Sequence, residues 1–295
     1  MKTQYNITVS LVTWNGAKWL PFCLEALNQS TVKDYFLLII DNGSIDSSNE
    51  IIENYLERNP ELKRRARLIR NRFNLGFARA HNQAIAWTEG EYVFVLNQDV
   101  VISSTYIDDL RHSLENDERA ASATGTLLRW DFDVDTYIIN TEPSASSQVD
   151  SCGLKIKRTR RVVNDAQGEQ YSSISKVSHQ VFGVSATAAL YRRSSIMRVA
   201  ENGEVFDDSF MAYKEDVDLA WRLQNAGYDS WHIPTAIALH ARSIPGSGGL
   251  LGEIKQRRLR HRQNKIQSYS NHLACLLKNE RLSNLFKDIF WINYL

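Results

Sequence analysis

Tyr92-Val93-Phe94-Val95-Leu96-Asn97-Gln98-Asp99-Val100 is the run that decides how the chain folds. Five consecutive aliphatic and aromatic residues suit a strand buried on both faces, the kind that parallel sheets contain. The run then stops at three polar residues, Asn97-Gln98-Asp99. Two earlier stretches repeat the arrangement. Ile7-Thr8-Val9-Ser10-Leu11-Val12-Thr13 ends at Thr13-Trp14-Asn15, and Phe36-Leu37-Leu38-Ile39-Ile40 ends at Asp41-Asn42-Gly43-Ser44. Helical patterns lie between them. Leu20, Leu24 and Leu27 share one face, and Pro21, tolerated best in a first helical turn, places that helix start near Trp19. Further helices are predicted over Ser47–Arg58 and Ala78–Thr88, with a strand over Arg67–Arg70 between them. Strands alternating with helices of this length imply right-handed βαβ units and a parallel sheet. Such sheets bind ligands beyond the carboxyl ends of their strands, where all three polar clusters fall.

Working outward, residues 120–190 change character. Short strand-like runs are separated by turns such as Val149-Asp150-Ser151-Cys152-Gly153 and Asn164-Asp165-Ala166-Gln167-Gly168, which suggests an antiparallel elaboration at the far edge of the sheet. Helical periodicity returns over Glu215–Ala226 and stops at Gly227, a good C-cap residue. The glycine-containing stretch 243–249 reads as a flexible loop, and 244–251 has the position of a lid. From Glu253 to Leu295 the pattern is helical. It is first basic, Gln256-Arg257-Arg258-Leu259-Arg260-His261-Arg262-Gln263-Asn264-Lys265, and then amphipathic and aromatic over 282–292. That order suits contact with an anionic membrane surface, or docking onto the protein's own body.

The totals exclude several classes. The chain has 295 residues, 43% hydrophobic and 23% charged, with a formal net charge of +1. No global field points to nucleic acid as a partner. Cys23, Cys152 and Cys275 are far apart and match no zinc spacing, which favours a reduced, cytoplasmic setting. The start shows no signal-peptide layout, and no apolar run approaches the ~20 residues that span a bilayer. Dinucleotide and P-loop fingerprints are absent from the sequence.

Each candidate residue carries two readings. Asp99 suits Mg2+ or Mn2+, ions that take one or two carboxylates plus substrate phosphates; otherwise it caps a turn. Asp41 can accept hydrogen bonds from a base or ribose, or open the next helix as an Asx turn. Gly76 permits a close backbone approach, and the helix N-terminus that follows, with Arg79, can meet phosphate. Asp216 shares a helix face with Leu219, Ala220 and Leu223, at an entrance where the macrodipole favours negative charge. It is therefore the first candidate for a general base, with Glu215 as support or substitute. Asp218 and Arg222, four apart, read as an ordinary surface pair. His240 ends an apolar stretch, where a lone histidine is more often structural than a ligand.

Five motifs in order resemble family 2 of the inverting glycosyltransferases across residues 7–245. They are Val9-Ser10-Leu11-Val12-Thr13-Trp14-Asn15, Asp41-Asn42-Gly43-Ser44-Ile45-Asp46, Asn71-Arg72-Phe73-Asn74-Leu75-Gly76-Phe77, Leu96-Asn97-Gln98-Asp99-Val100 and Glu215-Asp216-Val217-Asp218-Leu219. The resemblance implies an α/β GT-A fold. This is a Rossmann-like, mostly parallel central sheet flanked by helices, with an antiparallel acceptor-side elaboration and a C-terminal helical extension. It divides the chain into a nucleotide-sugar-binding half (1–118), an acceptor and catalytic half (119–245), and the loop and extension 246–295. It further implies that Thr13, Asn15 and Asp41 line the nucleotide site and that Asp99 is the surviving ligand of a D-x-D signature. Asp216 would then be the catalytic base, and His240 would help hold the metal or diphosphate. Asn97 departs from the usual Asp of that signature and joins the nucleotide-sugar set as a subtype mark.

The stretches 149–154 and 182–193 are similar to the rhamnosyltransferase-like branch. The expected reaction is therefore inverting transfer of L-rhamnose from dTDP-rhamnose, with Mg2+ or Mn2+, onto a bacterial surface-glycan or lipid-linked acceptor. The expected location is the cytoplasm, peripheral on the inner membrane. The alternatives are a UDP- or GDP-sugar donor, or a catalytically silent sugar-nucleotide-binding member of an assembly. A nucleotidyltransferase would carry a Gly- and Arg-rich loop after the first strand, where this chain has Thr13-Trp14-Asn15-Gly16.

Overall fold

The run at 92–97 lies in the middle of the sheet. The structure is a computed structural model that describes residues 5–87, 89–130, 141–144, 146–241 and 266–281. The expected loop and lid at 243–251, the basic run 256–265 and the aromatic stretch 282–292 lie outside the described residues.

In the first half, β1 (Ile7–Thr13), α1 (Leu20–Gln29), β2 (Tyr35–Asp41), α2 (Ser48–Arg58), α3 (Pro60–Arg64), β3 (Ala66–Arg70), α4 (Phe77–Ala86) and β4 (Tyr92–Asn97) follow in order. β4, β1, β2 and β3 lie side by side and parallel. Alternation across the pleat gives the sheet two buried faces. Leu11, Leu37, Ile39, Phe94 and Leu96 pack with Leu20, Leu24 and Leu27 of α1, whereas Leu38 and Ile40 pack with Ala80 and Ala84 of α4. Apolar residues on both faces explain why β2 and β4 read as continuous apolar runs.

The second half contains β5 (Val100–Ile102), α5 (Tyr106–Glu115), β6 (Ala120–Arg129), β7 (Val149–Ser151), β8 (Leu154–Ile156), β9 (Val162–Asn164), β10 (His179–Val181), β11 (Ala188–Arg192), α6 (Arg193–Arg198), α7 (Glu215–Asn225) and β12 (Asp229–His240). A further helix, α8, covers 266–279. β11 runs antiparallel between β4 and β6, while β12 returns parallel to β6. β5, β7 and β10 add antiparallel pairings, so the elaboration expected beyond residue 120 extends the same sheet. β8 and β9 form a separate antiparallel pair.

A break in register positions the end of β12. Its pairing with β6 shifts from Ile233 opposite Gly125 to Ile237 opposite Thr126. Pro234, which lacks an amide donor, sits in this bulge. Gly125 is required there, because an added Cβ would lie 2.1 Å from the Ala236 carbonyl oxygen. Beyond the bulge, His240 of β12 stands opposite Val100 of β5.

The pairing of Asp218 with Arg222 departs from its sequence reading. It is no surface pair: Asp218 is fully buried and Arg222 is 8% exposed. The guanidinium donates to Asp218 Oδ2 at 2.8 Å and to the carbonyls of Val199 and Val205, each at 2.6 Å. From α8, Asn279 Nδ2 donates to Asp218 Oδ1 at 2.7 Å, and Lys278 Nζ donates to Oδ2 at 3.1 Å. Tertiary cover from α8 and the 199–205 segment thus converts an apparent outer face into an inner one. Among the described residues no helix is long and apolar enough to cross a membrane.

Asp218→Ala would strand the Arg222 charge in the interior and should cost about 3–5 kcal/mol in urea denaturation. A loss under ~1 kcal/mol would mean that the pair behaves as an exposed one.

Candidate active site

The loops after the first strands are stitched together by side-chain amides and hydroxyls. Thr13 is buried, and its hydroxyl donates to Gln98 Oε1. The same oxygen accepts the Trp14 N–H at 2.9 Å, and Gln98 Nε2 donates to the Trp14 carbonyl at 3.2 Å. Asn15 adopts a left-handed φ of 50°, which asparagine tolerates better than most residues. Its N–H donates to Ser44 Oγ at 2.9 Å, and its Oδ1 accepts from Ile45 N at 2.9 Å. The buried Asp41 carboxylate accepts the Ser44 N–H at 3.3 Å and Asn49 Nδ2 at 2.8 Å. Asp41 thus holds the 41–44 turn, but it does not open α2, which begins at Ser48, where the N–H donates to Asp46 Oδ1 at 3.0 Å.

Asn42, also buried, donates to Asn74 Oδ1 at 2.9 Å and to the Gly76 carbonyl at 3.1 Å. It accepts from Asn71 Nδ2 at 3.1 Å and Leu75 N at 3.0 Å. Gln98 and Asn42 hold the rim together, and sequence reasoning assigned neither a role. Their signal was an amide, with donors and acceptors to satisfy, at the end of an otherwise apolar strand.

Gly76, with φ of 86°, makes the close approach expected of it, but to the protein itself. An added Cβ would lie 2.7 Å from the Met211 carbonyl oxygen. That carbonyl also accepts the Phe77 N–H at 3.2 Å. Arg79 pairs with Asp208 at 2.8 Å. Both residues thus tie the start of α4 to the segment that precedes α7.

Asp99 and His240 come from opposite halves of the chain and meet at the sheet's end. The Ala241 N–H donates to the Asp99 carbonyl at 3.0 Å, which locks the two segments together. His240 Nε2 lies 3.6 Å from Asp99 Oδ2, and its Nδ1 pairs with Asp150 Oδ2 at 2.8 Å. Burial pushes the His240 pKa down, but hydrogen bonds and charge from Asp150 and Asp99 outweigh this and hold it at about 9. In the sequence Asp150 lies in a turn motif, and nothing local gives it this role.

A carboxylate and an imidazole 3.6 Å apart form a donor set that suits a divalent cation completed by substrate phosphates, once the imidazole gives up its Nε2 proton to the solvent. Asp150 on the second ring nitrogen is the kind of support that orients metal-binding histidines. Among the described residues no group of three or more His, Cys, Asp or Glu side chains forms a metal cage by itself. Asn97 is held through its backbone, its N–H donating to the Thr187 carbonyl at 2.9 Å.

At the start of α7 the adjacent Glu215 and Asp216 differ in surroundings. Glu215 is 7% exposed, and its Oε2 has no hydrogen-bond partner among the described residues. Burial and then the neighbouring Asp216 charge push its carboxyl well above the usual range. Asp216 is partly exposed. Burial raises its carboxyl too, but Lys214 and the backbone N–H groups of Val217 and Ala186 oppose the rise. The Val217 N–H lies 2.8 Å from Asp216 Oδ1. Asp216 is therefore the member of the pair set up to ionise first.

Comparisons with known proteins agree with this frame. The model of glycosyl transferase family 2 matches residues 8–200, and the chain belongs to that family. The N-acetylglucosaminyl-diphospho-decaprenol L-rhamnosyltransferase of Mycobacterium tuberculosis is 29% identical over 247 residues, 79% of this chain and 75% of that protein. Glycosyltransferase GlyG of Streptococcus pneumoniae is 26% identical over 109 residues, 37% of this chain and 35% of that protein. Among solved structures, GalNAc-T7 with UDP, GalNAc and Mn2+ superposes with a TM-score of 0.65 at 11% identity, over 92% of this chain and 47% of that one. The mannosyltransferase PcManGT of Pyrobaculum calidifontis, with GDP-Man and Mn2+, gives 0.61 at 14% identity, over 98% and 69%. The fold is GT-A.

The raised Glu215 carboxyl has a thermodynamic consequence. A group that binds its proton more tightly when folded contributes stability below the unfolded carboxylate value of ~4.3. That contribution is lost as pH rises through the raised folded value. Glu215→Gln should therefore gain Tm relative to wild type progressively from pH 5 to pH 9 in scanning calorimetry. Parallel curves for the two proteins would mean that Glu215 titrates as an ordinary carboxylate.

Proposed function

We propose that the chain is a metal-dependent inverting glycosyltransferase that transfers a sugar from a nucleoside diphosphate to an acceptor hydroxyl. The observation that carries this reading is the convergence of Asp99 and His240 to 3.6 Å at the ends of β4 and β12. Thr13, Asn15, Asp41 and Asn97 bind the nucleotide-sugar along the stitched rim, and Gly76 and Arg79 serve the same half. Residues 1–118 form the donor half and 119–245 the acceptor and catalytic half, with 246–295 as an extension.

Asp99 and His240 would hold Mg2+ or Mn2+, which, when bound, supplies positive charge for a leaving diphosphate. Asp216 accepts the proton of the acceptor hydroxyl as its oxygen bonds to the anomeric carbon. The bond from that carbon to the diphosphate oxygen breaks on the opposite face, which inverts the centre. Glu215, kept protonated beside it, leaves Asp216 as the ionised partner.

L-rhamnose from dTDP-rhamnose is the favoured donor. Support comes from the mycobacterial rhamnosyltransferase, whose match covers most of both chains. Its name also supports a lipid-linked diphosphate sugar as the class of acceptor. In the same reading, the basic run 256–265 brings the enzyme to the anionic cytoplasmic face of the inner membrane. The UDP and GDP-Man bound to the structural neighbours make uridine and guanosine donors the alternatives to test.

Thermal stabilisation by dTDP, UDP and GDP, with and without Mn2+, tests the site. Nucleotide at a hundred times its dissociation constant should add ~2.7 kcal/mol. The Mn2+-dependent part of the shift should disappear in Asp99→Ala; metal dependence retained there would remove Asp99 from the metal site. Asp216→Asn should lower transfer by ~10²–10⁴-fold while keeping the nucleotide-induced shift. Loss of that shift in a folded variant would assign Asp216 to donor binding instead.

A further inference from the structure

Tyr213 and Lys214, the residues immediately before Glu215 and Asp216, both adopt left-handed backbone conformations, with φ of 70° and 76°. Left-handed geometry crowds the Cβ of an L-residue and is uncommon outside glycine, asparagine and aspartate. Two such residues in succession persist only where the surroundings over-determine them. Here the surroundings are α8. Asn271 Nδ2 donates to the carbonyls of both Ala212 and Tyr213, at 3.0 and 2.8 Å. One turn further along, Cys275 Sγ lies 3.6 Å from the Lys214 carbonyl oxygen. The Lys214 side chain reaches away to the Val162 carbonyl at 3.1 Å. On its other side the turn is fixed to α4, through the Met211 carbonyl and the Phe77 N–H.

The anchorage of α8 is itself directed at α7. Asn279 and Lys278 bind Asp218, and Asn225 Nδ2 at the far end of α7 donates to the Asn279 carbonyl at 2.8 Å. Asn271, Cys275 and Asn279 recur every four residues and so lie along one side of α8. Apolar cover would need only Cys275 and Leu276 against Val217, Ala220 and Trp221. An amide shared between two successive carbonyls of a left-handed turn does more than cover, because it sets the direction in which α7 begins.

We infer that α8 is a positioning element for the carboxylate pair at the start of α7, and that Asn271 is its positioning residue. The inference rests on the reading of Asp216 as the base. It places a requirement for catalysis about seventy residues beyond the segment that matches the family model, which ends at residue 200. Asn271 acts through the 212–214 backbone.

The test uses the full chain and the variants Asn271→Ala, Asn271→Asp, Asn271→Gln, Asp216→Asn and, on the exposed side of α8, Leu277→Ala. Amide hydrogen exchange of peptides spanning 210–218 is measured for each. So is the release of nucleoside diphosphate from dTDP-L-rhamnose, UDP-GlcNAc and GDP-mannose with Mn2+. Asn271→Asp keeps the shape but removes the donors, so it should match the alanine variant. Both should exchange faster over 213–218 and lose up to ~10²-fold in kcat, with donor KM unchanged. Asn271→Gln, which keeps an amide donor, should recover much of both and decides the matter if the alanine variant does not fold. Leu277→Ala should resemble wild type.

Unchanged exchange in Asn271→Asp would overturn the inference whether or not any of these donors is turned over. Wild-type kcat in Asn271→Asp, alongside an inactive Asp216→Asn, would overturn it while leaving the base assignment intact. Full activity in Asp216→Asn would instead bring down the base assignment and, with it, the catalytic part of this inference.

Discussion

The parallel register of β2, β1 and β4 is the constraint on which the site depends. Thr13 stands opposite Asp41, and Val12 stands opposite Asn97, so three strand ends carry their polar residues to one line. A slip of one residue in any of these pairings would turn Leu11, Ile39 or Leu96 to the wrong face of a sheet buried on both sides. Core packing therefore enforces the alignment of the rim, and the rim needs little strain to exist. The same sheet receives β12 from the other half of the chain. The bulge around Pro234 and the close contact at Gly125 decide where that strand ends, and hence that His240 meets Asp99.

Polar groups buried beside this frame serve different ends. Asn42 and Gln98 are amides whose donors and acceptors are used between loops, which makes three separate strand–helix connections behave as one surface. Arg222 and Asp218 are buried charges. Such a pair gains less from its mutual attraction than it loses on leaving water, unless the remaining donors and acceptors are also satisfied. Here they are satisfied by the carbonyls of Val199 and Val205 and by Asn279 and Lys278. The network ties α6, α7 and α8 into one unit behind the carboxylate pair.

Glu215 and Asp216 show how two neighbouring carboxyls acquire different chemistry. They share a helix start and a nearby Lys214, but Asp216 has three backbone N–H groups, of Val217, Ala186 and its own residue, to stabilise its charge, where Glu215 has only its own. Glu215 is also enclosed, with one oxygen unpartnered among the described residues. Mutual repulsion then assigns the proton to Glu215 and the negative charge to Asp216.

The parallel half of the sheet, its helices and the polar strand ends were legible in the sequence, because continuous apolar runs and helical spacing are local signals. The positions of Thr13, Asp41, Asn97, Asp99 and Asp216 within their elements followed from the same patterns. Long-range contacts carry no such signature. Nothing local in Val149-Asp150-Ser151 shows that Asp150 meets a histidine ninety residues later. Spacing of four on a helix reads identically for Asp218 and Arg222 whether or not another helix covers them, and α8 does. By itself the sequence determined which residues could be buried and which strand ends were polar, since periodicity and side-chain chemistry act over a few residues. Only the tertiary structure decided which distant side chains share a site, because that depends on strand order, a bulge and a docked helix that no short stretch encodes.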